Sequence, residues 1–160
     1  MSGRSDLLAD RIIQGAEKLA ALIEGLSDEE YQSLVTNEKR PVGVLVHHVA
    51  VSYPIEIDLA MQLAEGKPIE GVTWDVIDGI NEEHAHEFAK VDKSAVLDLL
   101  RKNSREAAMR VRKLNDEQLD NSAKVSLNAN APLTAQFFIE DHALRHSFQH
   151  FESIQEAIGK

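Results

Sequence analysis

The chain has 160 residues, with 27 acidic against 17 basic side chains and a formal charge of −10 when His is neutral. That length suits a single domain, 1–160, around one core, and the acidic balance disfavours nucleic acid and anionic membrane as partners because both repel it. The absence of Cys excludes disulfides, thiolate zinc sites and an internal thiol nucleophile.

In chain order, the spacing predicts a first helix capped by Ser5, with Leu8, Ile12, Leu19, Leu22 and Ile23 on one stripe and Gly25 as its stop. Ser27-Asp28-Glu29-Glu30 reads as the capped acidic first turn of a short segment, and 26–40 as mostly connection. A second long helix starts at Pro41, carries Val44, Leu45, His48, Val51, Ile55, Leu59 and Leu63 inward, and ends at Gly66-Lys67-Pro68. Pro54 removes one backbone donor within it, so a kink or local break is expected there.

The loop 66–74 bears the single Trp74, and a helix follows from Asp75 to Ala89. Asp92 or Ser94 opens a longer one through Leu114 on Val96, Leu97, Leu100, Ala107, Ala108 and Val111. Residues 115–133 read as an irregular Asn- and Asp-rich loop that covers something or moves. A last helix runs from a Thr134 cap to Ile158, with Gly159 as its stop. No stretch sustains the two-residue alternation of a strand, and Gly plus Pro supply only 12 residues. The class is therefore all-α, a four-helix bundle with a short extra helix. No apolar run approaches the ~18 residues of a membrane span, and MSGRSDLLAD carries no apolar signal core, so a cytoplasmic location is expected.

Five of the seven histidines fall in two groups, His47-His48 and His142, His146, His150. Residues four apart on a helix stack one turn above each other, so two such imidazoles converge on one ion. Three in a row drift by about 40° per step, which favours two of them plus a ligand from another helix. Neighbours point about 100° apart, and His48, not His47, continues the inward stripe of Val44 and Leu45. His48 is therefore the third candidate. Three neutral imidazoles with open positions make a site for water or substrate. The plain alternative is an i,i+4 pair on a solvated face or in the core without a metal.

His84 and His86 point about 200° apart and read as two partly exposed polar residues in an acidic segment, with His84 at most edging a pocket. Glu140 and Asp141 precede the last group and offer a weak outer role behind a ligand. Arg101, Lys102, Arg105, Arg110, Arg112 and Lys113 read first as partners of nearby acids, and second as a patch for an anionic ligand. Phe137, Phe138, Phe148 and Phe151 read as core packing compatible with a dry wall around a metal pocket.

Two blocks carry a family resemblance. Val42-Gly43-Val44-Leu45-Val46-His47-His48-Val49-Ala50 and His142-Ala143-Leu144-Arg145-His146-Ser147-Phe148-Gln149 resemble the second-helix and last-helix blocks of the DinB-like (YfiT-related) superfamily. Asp78-Gly79-Ile80-Asn81 is similar in spacing, with less specificity. The resemblance implies a four-helix bundle with one long crossover, frequent homodimers, and a divalent metal on His48, His142 and His146. Ser147 stands where the family block often has Arg. His150 is an additional histidine, which could serve as a fourth ligand, although its angular drift favours a pocket-lining or structural role.

The resemblance further implies a metal-dependent enzyme that uses a low-molecular-weight thiol, as a transferase or isomerase, with zinc or nickel ahead of manganese or iron. The ion would lower the pKa of an external thiol or water, and any thiol must come from a small cofactor because the chain has none. The other readings are a hydrolase and a non-catalytic dimeric metal- or ligand-binding stress-associated protein. A general acid or base near the metal separates them, and the sequence names none. The expected partners are a small-molecule substrate or thiol and a second copy of the chain.

Overall fold

Local signals set most helix ends. The structure, a computed structural model, describes residues 3–160. α1 spans Gly3–Glu24 and buries Leu8, Ile12, Leu19 and Ile23 on one stripe. Ser5 is not its cap; it lies buried inside the first turns, with its hydroxyl 3.3 Å from the Arg112 carbonyl. α2, Asp28–Gln32, begins in a complete capping box between Ser27 and Glu30. A two-stranded ribbon follows, β1 (Leu34–Val35) against β2 (Arg40–Pro41), antiparallel, with Val35 opposite Arg40.

α3 runs over Val42–Ala64 with Pro41 at its N-cap. It continues through Pro54 without a break. The carbonyl of Ala50, which a residue with an N–H at 54 would bond, instead accepts from Asn103 Nδ2 at 2.8 Å. The buried face is Val46, Val49, Ala50, Tyr53, Ile57 and Ala60, whereas Ile55, expected inward, is 58% exposed. By length and composition alone α3 is apolar enough to cross a membrane, although no short run within it suggests so; over half of that window is buried inside the bundle.

α4 spans Trp74–Glu87 behind a Thr73 cap, and α5 spans Lys93–Arg112 behind an Asp92 cap. Residues 115–133, read as irregular, instead form α6 (Asp116–Asp120) and a hairpin of β3 (Ser122–Val125) and β4 (Ala131–Thr134), with Ser122 opposite Thr134. Ile69 bridges to Val125 and pins the 66–73 loop onto that hairpin. α7 (Ala135–Phe138), a π-helical turn (Ile139–Leu144) and α8 (Arg145–Ile158) make one continuous last rod, capped by Thr134 and stopped by Gly159 at φ 71.

The bundle forms a ring in which α1 packs on α5, α5 on α3, α3 on the last rod, and the last rod on α1. α1 and α3 thus sit on one diagonal, and α5 and α8 on the other. Gly15 lets α1 approach α8 closely: a Cβ there would meet the Ser147 hydroxyl and come within 2.9 Å of the Phe148 ring. Ser147 is fully buried at this crossing, so its small size serves helix packing.

The basic residues of α5 close the outside of the same ring. Arg101 bridges Glu17 and Glu24, Arg105 reaches Glu17, Arg110 pairs with Asp58, and Arg112 with Asp6 and Asp10. These arginines act as partners of nearby acids.

Candidate metal centre

His48 projects from the second turn of α3 toward α8. Its ring stands edge-on to His146, with centroids 4.7 Å apart, and to His150, at 5.6 Å. His146 and His150 are one turn apart on regular α-helix, their centroids separated by 4.7 Å. One ligand atom from each of His48, His146 and His150 lies within 4.8 Å of the other two. It is the group of three or more metal-binding side chains that the described residues bring together.

Two of the residues named from the sequence, His48 and His146, are therefore together. His142 is not in the group. It sits in the π-helical turn, where its ring stacks on Phe138 at 4.2 Å, and its Nε2 is buried 3.7 Å from Asp141. His150, read from the sequence as pocket lining or structure ahead of a fourth ligand, takes the place beside His146. A π turn carries an extra residue per turn, so side chains before it are rotated relative to those after it. Angular reasoning on an unbroken 3.6-residue helix does not contain that rotation.

Each of the two α8 histidines has a carboxylate behind it. His146 Nδ1 lies 3.3 Å from Glu56 Oε1 on α3, and His150 Nδ1 lies 3.4 Å from Glu38 Oε1 on the β1–β2 turn. Glu140 and Asp141 do not fill this role: Glu140 binds Gln136, and Asp141 binds Arg145. Neither Glu38 nor Glu56 carries a sequence signal, because both reach the histidines across more than 80 residues.

Burial holds His48 and His150 neutral. It drives His48 down to about 2, with the neighbouring His146, Arg40 and His150 adding to the effect. Burial likewise lowers His150, opposed by Glu38. Glu38 itself is held at about 2, first by His150 and then by Arg40. The arrangement that meets both conditions is an ionised Glu38 facing a neutral His150 with its proton on Nδ1. Neutral imidazoles need lose no proton to bind a cation.

A second histidine layer lies against the first. His47 faces α4, where its Nδ1 is 2.8 Å from His84 Nε2 and its ring stacks on Phe88 at 4.1 Å. His84, read from the sequence as partly exposed, is buried, and its ring meets the edge of His48 at 5.7 Å. Its pKa falls to about 4 through burial, with His47 and Arg40 adding to it. Both members of the His47-His48 pair are thus inside, because their ~100° separation serves two different interfaces. His86 remains exposed.

The donor set suits a divalent metal: three imidazole nitrogens gather at one point with carboxylates behind two of the rings. No family model matches the chain, and no curated protein matches it. Among solved structures, the chain is similar to YfiT from Bacillus subtilis, described as a probable metal-dependent hydrolase with an unusual four-helix bundle topology, at 18% identity and a TM-score of 0.77 over 98% of this chain and 87% of that one. The chain therefore shares the four-helix-bundle fold of that structure.

Proposed function

We propose that this protein binds one divalent metal through His48, His146 and His150 and uses it to activate a small nucleophile. The carrying observation is the convergence of three imidazoles, two of them backed by Glu56 and Glu38. With Nδ1 of His146 and His150 turned to carboxylates, Nε2 of each is left for the ion. Glu56 and Glu38 orient the rings and raise their basicity. A divalent ion held there supplies Lewis acidity, which lowers the pKa of a thiol or water. Imidazole donors suit zinc and nickel alike.

The favoured reaction is transfer of a low-molecular-weight thiol to an electrophile, or isomerisation assisted by such a thiol. Two things support it: the resemblance of the histidine blocks, and a chain that has no thiol of its own. Hydrolysis is the second reading, favoured by the description of the YfiT neighbour. The buried His47–His84 pair lies against His48, and it is the part of the site through which a proton can be held or moved in either reaction.

Elemental analysis of the purified protein is expected to show about one equivalent of metal, lost in His48→Ala, His146→Ala and His150→Ala. Full metal content in all three variants refutes the site. A panel pairing thiols with electrophiles, run beside ester and amide substrates, separates transfer from hydrolysis. Full metal loading with no turnover on either panel favours a non-catalytic binding protein.

A further inference from the structure

Resting on the metal reading above, this inference concerns what meets the metal. Arg40 ends the β1–β2 turn, where Lys39 adopts a left-handed conformation at φ 57. Its side chain is only 14% exposed. Glu38 ties it to the histidines: Oε2 accepts from Arg40 Nη2 at 3.1 Å, while Oε1 faces His150 Nδ1. On its other side Arg40 lines a cleft of about 330 Å³ between the ribbon and the Asp78, Asn81 and Glu82 face of α4. Glu38 and Arg40 therefore join this cleft to the histidine cluster.

Two features of Arg40 need a reason. A fixed cation beside a metal site opposes metal binding. Its Nη1 is also buried with no acceptor among the described groups, although guanidinium is a planar fork suited to binding a carboxylate through two nitrogens. Glu38 engages Nη2 and is shared with His150. The α5 arginines, by contrast, are met by surface acids of their own. An anion lying between the guanidinium and the metal resolves both features at once.

We propose that Arg40 is the anion-recognition residue of the centre, and that the substrate is a small molecule bearing a carboxylate. The guanidinium of Arg40 donates to that carboxylate while the reactive group of the same molecule lies at the histidines. The cleft is of a size for a small metabolite.

The test uses Arg40→Gln and Arg40→Lys, with zinc and succinate as probes in calorimetric titrations of the metal-free and zinc-loaded protein. Succinate affinity is expected to fall about tenfold or more in Arg40→Gln, the loss of a charge-assisted hydrogen bond, with Arg40→Lys between. Zinc affinity is expected to hold or rise in Arg40→Gln, because a repelling cation is gone. These opposite signs distinguish recognition from folding. Parallel loss of zinc and succinate binding with a lowered melting temperature means that Arg40 is structural, and overturns the proposal. So does unchanged succinate binding in Arg40→Gln, or none in the wild type. If the wild type takes up no zinc, the metal reading fails separately, and succinate binding to the metal-free wild type and Arg40→Gln proteins still decides the role of Arg40.

Discussion

His142 and His150 stand four residues from His146, one on each side, and the structure treats them differently. His150 shares regular helix with His146, is backed by Glu38, and joins His48. His142 lies in the π turn, packs flat on Phe138, and lies 3.7 Å from Asp141 on its own rod, outside the group that His48 completes. Equal spacing in sequence thus gives unequal chemistry. The helix phase on the two sides of residue 144 decides which pair faces α3.

The largest expected effect breaks this comparison directly. His150→Ala should lose nearly all bound metal and His142→Ala almost none, read by elemental analysis after dialysis; the reverse pattern would restore His142 as the ligand. Next come the carboxylates behind the two rings. Glu56→Gln is expected to weaken zinc binding by about 10–100-fold, while Asp141→Asn, beside His142, should leave it within about twofold if outer-partner effects are confined to true ligands. Equal effects from both would remove the distinction between the two sides.

A third expectation concerns protons in the metal-free protein. His48 and His84 have folded pKa values of about 2 and about 4, below the ordinary 6.5. Below pH 6.5 the unfolded chain takes up protons that the folded one refuses. Stability is therefore full above that pH and falls as pH drops, by about 1.4 kcal/mol per unit for each group. The His84 contribution levels off near pH 4, and that of His48 continues below it. Denaturant titrations across pH 4–8 check this, and a flat profile would mean that the histidines are not held neutral. Zinc should steepen the slope, because protons and metal compete for the same nitrogens.

The smallest effect lies away from the site. Asn103→Leu leaves the Ala50 carbonyl without the donor that replaces the one missing at Pro54, and should cost about 1–3 kcal/mol with metal binding intact. An unchanged melting temperature would show that the Pro54 turn needs no support from α5.

Most of the scaffold was legible because its signals are local. Asp92 and Thr134 cap the helices that follow them, the Ser27 box opens α2, and Gly159 ends α8 in a left-handed turn. The β3–β4 hairpin was not legible. Its strands show no clean alternation, and its turn at Ala129 and Asn130 uses left-handed residues other than Gly. The burial of His84 was also hidden, since its own helix is mostly solvated and the cover comes from His47 and Phe88.

By itself the sequence determined an acidic, Cys-free bundle of four long helices, with His48 on one rod and a ladder of histidines on another. Only the tertiary structure decided that His146 and His150 complete the cluster, that Glu56 and Glu38 stand behind them, and that Arg40 sits beside them. Periodicity and capping act within a few residues and can be read along the chain. Helix phase accumulates over a whole rod, and one π turn resets it. The groups around the histidines come from distant segments that only packing brings together.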